Sequence, residues 1–415
     1  MKKKFFKNKG IQFFSTLLII FIIFFSIEVF SRLLLGYLGY PTTYKLANIG
    51  VNKYDFLTGY YNKPFQDKFY KKDSSNKKKG RYGFNQGTDR YGFNLDGKRV
   101  LDKSLSKKNS CSYRIFLLGG STVLGKNLEN LNDPLSARLE NALQNEFENF
   151  QISFEVINTG ATSFFSNQEL ALFQNRILYS LKPNHVIVLN GTNDYIMPLG
   201  KNHYLSNSHY YQREFQDNFI KSEKNVFNLF DNFLSRNLSV YFLFKKIIEK
   251  TTGVIFFEEN RDDFRDNSNF QNISKKKDRY FYNIKFFDLL SNEKLLVDIF
   301  FQPQMLPENI KNLSSSDQGF YNQLLKKDEY YFKGKEYFYN LVRKEINNFN
   351  KQKKSQFFQI NDISNILDNP ENNKNFYSDH VHYTSVSRDI ISTEILLMVK
   401  NKIRNNILNN FSDCK

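Results

Sequence analysis

From residue 113 onward, the chain alternates between short apolar segments and longer amphipathic ones. The segments between the apolar stretches carry helix signals, such as Pro134 ahead of a run with an apolar residue at every fourth position. Strands that alternate with helices favour a parallel sheet with helices on both faces. The sequence therefore predicts a three-layer α/β/α domain with about five parallel strands. The five predicted strands cover 113–118, 154–158, 185–190, 295–301 and 357–360.

Residues that could take part in catalysis follow four of these predicted strands. Ser121 follows the first, Gly160 the second and Asn193 the third, and the segment 379–382 follows the fifth. In a parallel sheet the ligand site lies beyond the carboxyl ends of the strands. The four positions are therefore expected to meet at one edge of the sheet.

Ser121 lies in the sequence Gly-Gly-Ser-Thr at a predicted strand-to-helix turn. The glycines allow a tight turn, and a helix start offers backbone amides and a positive dipole to a developing oxyanion. By itself the motif is equally compatible with a loop that ends in a capping serine. A serine also needs a base before it can act as a nucleophile.

The candidate base is one of five histidines in the chain. Asp379 and His382 are three residues apart, so a single turn can place the carboxylate against the imidazole. Such a carboxylate orients the ring and stabilises the imidazolium. His380 is the rival base, although its position next to Asp379 favours a different direction in a turn. Two histidines and one aspartate are weak support for a metal site, and we predict no metal or cofactor.

Two further residues are candidates for an oxyanion hole. Asn193, in Gly-Thr-Asn-Asp, has a side-chain donor, and Gly160 offers an unobstructed backbone amide. Together with the amide of Ser121 they would stabilise negative charge on a substrate oxygen. A plain turn glycine remains the alternative for Gly160.

In their order along the chain, these four blocks resemble those of the SGNH (GDSL-type) hydrolases. The resemblance implies a flavodoxin-like fold, with Ser121 as nucleophile, His382 as base and Asp379 as its orienter. It also implies Ser121, Gly160 and Asn193 as oxyanion donors. Serine-dependent ester hydrolysis or acyl transfer follows, with acylated small molecules or the O-acetyl groups of cell-surface glycans as expected substrates. Gly120 stands where the archetypal block has Asp, which bears on substrate rather than mechanism. The alternative is an inactive glycan-binding or assembly protein that keeps the fold.

The amino-terminal segment is the most apolar part of the chain. In residues 11–27, thirteen of the seventeen are Ile, Leu or Phe, and five lysines precede them. This favours a membrane anchor over 11–35 with a cytoplasmic tail at 1–10, which would place the rest of the chain on the periplasmic or extracellular side. A cleaved signal peptide is the main alternative, but no small-x-small cleavage site follows the apolar run.

The remaining organisation is less regular. Residues 36–110 are polar and predict a partly ordered stalk that lays turns against the catalytic domain, and the hydrolase-like domain is expected over 111–410. Within it, 196–290 interrupts the strand and helix pattern and is interpreted as an insertion over the sheet, with an amphipathic helix near 226–250.

Charge and cysteine content limit the partners. The net charge of +17 comes from lysines scattered among acidic residues, which favours a solvated surface over a nucleic-acid site. Cys111 and Cys414 are the only cysteines. A bridge between them is possible in an oxidising compartment, but the position of Cys414 at the chain end favours two free thiols.

Overall fold

The computed structural model divides the chain into two compact units. One contains Met1–Asn52 and Arg213–Arg261, and the other contains Lys53–Gln212 and Asp262–Lys415. The residues described are 2–37, 52–55, 59–62, 88–91, 93–96, 105, 108–125, 128, 133–196, 234, 238–252, 270–326, 329–368 and 374–414. Much of the predicted stalk and insertion lies outside these ranges.

The five strands predicted from residue 113 onward are all present, and further helices and strands accompany them. The strands are β1 (Asn52–Asp55), β2 (Gly59–Asn62), β3 (Ser112–Gly119), β4 (Ser153–Asn158), β5 (His185–Asn190), β6 (Leu296–Phe301) and β7 (Phe358–Asp362). The α-helices are α1 (Lys2–Tyr37), α2 (Ser121–Leu124), α3 (Leu135–Glu146), α4 (Ser166–Leu172), α5 (Thr192–Ile196), α6 (Ser239–Thr252), α7 (Phe270–Leu290), α8 (Ser315–Leu325), α9 (Glu329–Gln352) and α10 (Ser385–Asn410). A π-helical turn follows α4 at Phe173–Ile177, and 3₁₀ turns lie at Pro307–Asn312 and Ser412–Cys414.

Strands β3 to β7 form one parallel sheet in the order β4-β3-β5-β6-β7. Numbered along the chain, this is the order 2-1-3-4-5 of flavodoxin-like folds. Every residue of β3, β5 and β6 is buried, as expected for strands covered on both faces. The predicted fold class is confirmed.

Helices cover both faces of this sheet. On one face α3 packs against α10 and β4, and on the other α7 packs against α4, α9 and β7. Helices α7 and α8 were not predicted from the sequence. The helix expected within the insertion is α6, and it contacts α1 in the first unit, whereas α7 supplies packing on the sheet. The expectation that the insertion packs over the sheet stays a prediction for the rest of 196–290.

Cys111 and Cys414 form a disulfide with their Cα atoms 5.6 Å apart. The preference for two free thiols was wrong. The chain end is held in place, since Phe411 packs on Tyr113 and the Cys414 carbonyl accepts a hydrogen bond from the Gln151 N–H.

Helix α1 contains one stretch, Ser15–Leu34, that is long and apolar enough to cross a membrane. Its mean hydropathy is 2.4, and only 11% of its most apolar 18 residues are buried within the protein. A signal sequence near an amino terminus would have the same properties, so both alternatives from the sequence agree with this helix.

Candidate active site

The predicted site residues lie at the carboxyl edge of the sheet. Ser121 begins α2 directly after β3, and Gly160 follows β4. Asn193 is the second residue of α5, which begins two residues after β5. Asp379 and His382 lie in the segment between β7 and α10. Parallel strands bring these distant parts of the chain together.

Ser121, His382 and Asp379 form one chain of hydrogen bonds. The Nε2 atom of His382 lies 2.8 Å from the Ser121 Oγ atom, and its Nδ1 atom lies 2.7 Å from Asp379 Oδ2. Ser121 and His382 are buried, whereas the Asp379 side chain is 38% exposed. The distance between serine and imidazole lies within the range needed for proton transfer. Of the two rival histidines, His382 makes both contacts.

The Asp379 side chain holds its own turn through hydrogen bonds to the backbone. The Asp379 Oδ1 atom accepts hydrogen bonds from the N–H groups of Val381 and His382, each at 2.9 Å. Aspartate commonly stabilises a turn in this way. Burial by itself raises the pKa of Asp379, but the hydrogen bond and charge of His382 and these two amides outweigh it, so the pKa lies well below its usual range. The carboxylate is therefore ionised at neutral pH.

Asn193 lies directly beside the turn that precedes Ser121. A Cβ atom on Gly120 would lie 2.3 Å from Asn193 Nδ2 and 3.1 Å from the Phe164 carbonyl oxygen. The same Nδ2 atom donates to the Phe164 carbonyl at 2.7 Å. Because an amide nitrogen has two hydrogens, one remains available for a second acceptor. Gly120 is thus needed for the close approach of Asn193 to the serine turn.

Gly160 packs against the turn from the other side. A Cβ atom there would lie 2.3 Å from the Leu124 backbone nitrogen, so only glycine fits. The Gly160 N–H donates to Asn158 Oδ1 at 3.0 Å, and this amide is therefore engaged within the loop. A role of Gly160 as an oxyanion donor stays a prediction.

A buried acidic cluster supports the start of α5. Asp194 accepts hydrogen bonds from the N–H and hydroxyl groups of Ser166, and Glu169 accepts one from the Asn190 side chain at 2.7 Å. Burial raises the pKa of Asp194 to about 6, against the opposing effects of Ser166 and Arg279. Burial also raises the pKa of Glu169 well above its usual range, and the charge of Asp194 adds to this. The cluster connects α4, β5 and α5 and so fixes the position of Asn193.

A buried lysine supports the histidine turn. Lys335 on α9 donates to the Gln304 Oε1 atom at 2.6 Å, and Gln304 Nε2 donates to the Val381 carbonyl at 3.4 Å. The Tyr383 hydroxyl donates to the Pro303 carbonyl at 2.8 Å. The segment after β6 thus connects α9 to the turn between Asp379 and His382. Burial lowers the pKa of Lys335 to about 7.

The segment before the sheet also reaches this edge, through Asn94 and Asp96, which were not among the predicted site residues. Asn94 Nδ2 donates to the Gly160 carbonyl at 2.9 Å and to Asn158 Oδ1 at 3.1 Å. Asp96 accepts from the Asn158 side chain and from the Ser136 hydroxyl. The signal available for Asn94 was its place at the end of a repeated Arg-Tyr-Gly-Phe-Asn sequence.

No family model matches this chain, and neither does any curated protein. Several solved structures resemble it. LAE5, an α/β hydrolase enzyme from the metagenome of Lake Arreo, is 12% identical with a TM-score of 0.35, and the match covers 69% of this chain and 94% of LAE5. A member of the lipolytic G-D-S-L family from Veillonella parvula is 11% identical with a TM-score of 0.33, and the match covers 69% and 97%.

A third similar structure is the acetylxylan esterase Axe2 from Geobacillus stearothermophilus. It is 10% identical with a TM-score of 0.34, and the match covers 69% of this chain and 95% of Axe2. The identities and TM-scores are too low to transfer an activity to this chain.

Proposed function

We propose that this protein is a serine esterase or acyltransferase of the SGNH kind. The observation that supports it most directly is the unbroken hydrogen-bond chain from Ser121 through His382 to Asp379. Three groups from two distant parts of the chain have the contacts of a nucleophile, a base and the carboxylate that orients the base.

The reaction begins when His382 Nε2 takes the proton from the Ser121 hydroxyl. The Ser121 Oγ atom then attacks the ester carbonyl carbon, and the carbonyl oxygen gains a negative charge. As the tetrahedral intermediate collapses, the carbon–oxygen bond to the alcohol breaks, and His382 returns the proton to the leaving oxygen. The product is an acyl group on Ser121. Water, or the hydroxyl of an acceptor, releases it by the reverse sequence with His382 as base again.

The negative charge on the carbonyl oxygen is stabilised by donors beside Ser121. Ser121 is the first residue of α2, where backbone N–H groups have no partner within the helix. Asn193 Nδ2 lies on the other side of the same turn with one hydrogen to give. These two donors have the better support, and Gly160 would join them only by releasing Asn158.

The proposed location is the outer face of a cell membrane, with α1 as a single anchor. The apolar stretch Ser15–Leu34 behind five lysines supports this orientation. The disulfide between Cys111 and Cys414 supports it independently, because structural disulfides persist in oxidising compartments. An anchored enzyme on that side would meet the O-acetyl groups of cell-surface glycans, and this substrate class is inferred by analogy.

Covalent labelling tests the proposal. The full-length chain, purified in detergent, should react with a fluorophosphonate probe at Ser121, and peptide mapping should locate the adduct. Ser121→Ala and His382→Ala should abolish labelling. Ser110→Ala is the matched control, since Ser110 lies in a turn before β3 and not at the site. If the folded protein does not react at Ser121, the inactive binding or assembly role replaces the enzyme.

A further inference from the structure

Glu28 is an acidic residue inside the apolar stretch of α1, and it is one of the few buried residues there. It is 8% exposed, whereas its apolar neighbours Phe30 and Leu33 are 64% and 68% exposed. Its carboxylate accepts hydrogen bonds from the N–H groups of Ser239 and Val240 at 2.9 and 3.0 Å. Glu28 therefore caps the amino terminus of α6.

The charge of Glu28 is compensated on two sides. A carboxylate at a helix amino terminus is stabilised by the helix dipole and by amides that lack partners within the helix. Arg32, one turn further along α1, donates to Glu28 Oε1 at 3.0 Å. Charged groups in a membrane segment are rare unless they are paired in this way. The pairing explains how an acidic residue is tolerated at this position.

The depth of Glu28 sets the depth of the start of α6. Glu28 is six residues before the end of the stretch Ser15–Leu34, which is about 9 Å along a helix. The first turn of α6 is held beside it, so α6 begins within the apolar part of the membrane if α1 spans it. With 14 residues, α6 is about 21 Å long, too short to cross a hydrocarbon core of about 30 Å.

Two large apolar side chains of α6 are exposed. Phe244 and Ile247 are three residues apart on one face and are 58% and 51% exposed. Lys245 is turned inward and is 6% exposed, with its Nζ atom 5.2 Å from the centre of the Tyr241 ring. The exposed apolar side chains of α6 thus belong to a helix that contacts α1, whose own apolar side chains are exposed.

We propose that α6 is a second membrane element, which begins within the bilayer against α1 and contacts lipid acyl chains through Phe244 and Ile247. The cap formed by Glu28 holds the start of α6 at this position. This proposal rests on the proposed role of α1 as an anchor. It assigns part of the predicted insertion to the membrane.

Lipid quenching tests it on the full-length chain with its disulfide intact. A fluorophore is attached at Phe244→Cys, or at Phe21→Cys in α1, and each protein is reconstituted in phosphatidylcholine vesicles. Doxyl-labelled phosphatidylcholine should remove most of the emission at both positions, and aqueous iodide should remove little. Strong iodide quenching at position 244 with doxyl quenching at position 21 would overturn the proposal and leave the anchor intact. Iodide quenching at both positions would overturn the anchor as well.

The role of Glu28 as the cap of α6 is tested by Glu28→Ala in the Phe244→Cys background. Loss of the cap should reduce doxyl quenching at position 244 and increase iodide quenching, with position 21 unchanged. Arg32→Ala is the matched control, because it removes the ion pair but keeps the cap, and quenching should persist. Unchanged doxyl quenching in Glu28→Ala would overturn the role of Glu28.

Discussion

Gly120 and Asn193 are so close that a methyl group on Gly120 would lie 2.3 Å from the Asn193 amide nitrogen. Carbon and nitrogen atoms do not approach to this distance without a bond, so one of the two groups must move. The Asn193 side chain is also tied to the Phe164 carbonyl, which limits where it can go. The residue before the proposed nucleophile thus controls the position of a proposed oxyanion donor.

Gly120→Ala should therefore lower kcat through Asn193. Removing an oxyanion donor outright, as in Asn193→Ala, should lower kcat by about 10²–10³, and Gly120→Ala should approach this value. The check is steady-state hydrolysis of a 4-nitrophenyl ester. Gly319→Ala on α8 is the matched control, since a Cβ there meets no atom within 4 Å. Near-normal kcat in both Gly120→Ala and Asn193→Ala would remove Asn193 from the mechanism.

Ser121 and His382 should behave as one unit. Each alanine variant should lose several orders of magnitude in kcat, and the double variant should be scarcely worse than either, because the base is useless without its nucleophile. His380→Ala should keep most of the activity, since His382 contacts both Ser121 and Asp379. Steady-state kinetics of the four variants decide this. Additive losses, or a larger loss in His380→Ala, would contradict the assignment.

Asp379→Asn should be impaired less than His382→Ala. The carboxylate orients His382 and stabilises its charged form, but it is partly open to water, which can replace part of this effect. We expect the variant to retain roughly 10- to 100-fold more activity than His382→Ala. The pKa of Asp379 lies well below its usual range, so this carboxylate should not titrate above about pH 5. Every step that the wild-type pH–rate profile shows above that pH should therefore remain in this variant.

Lys335 should make the stability of the protein depend on pH. Its pKa is about 7 in the folded state and about 10.4 in an unfolded chain, so the unfolded state binds more protons between these values. Stability therefore rises with pH in this window, by up to about 1.4 kcal/mol per pH unit for one such group. Urea unfolding in detergent at pH 7.5 and 9.5 should show a smaller rise for Lys335→Met than for the wild type. Lys344→Met, at an exposed position on the same helix, should match the wild type.

The bridge between Cys111 and Cys414 should stabilise the sheet domain. It joins residues 303 positions apart, and closing a long loop restricts the unfolded chain. Cys111→Ser should lower the free energy of unfolding by about 2–5 kcal/mol. Maleimide should label the unfolded wild type only after reduction. Labelling of both thiols without reduction, on protein recovered from cells, would show that the bridge does not form there and would weaken the proposed location.

The elements that the sequence predicts well are those with a local signal. The predicted strands at 154–158 and 185–190 fall within one residue of β4 and β5. Each is a continuous apolar run between turn residues, and this signal lies entirely in neighbouring positions of the chain. The contact of Asp379 with His382 was predictable for the same reason, as the two are three residues apart. The approach of this pair to Ser121 was also predictable, because the carboxyl ends of parallel strands lie at one edge of the sheet.

Other features depend on contacts between residues that are far apart in the chain, and only the tertiary structure decides these. Lys335 has no local signal that distinguishes it from the many exposed lysines, and its burial follows from the packing of α9 beside Gln304. The pairing of Cys111 with Cys414 and the capping of α6 by Glu28 join residues more than 200 positions apart. The sequence by itself therefore determines the strand order along the chain and the residue types at each strand end. The folded chain decides which distant polar groups meet, because their pairing depends on where whole elements pack.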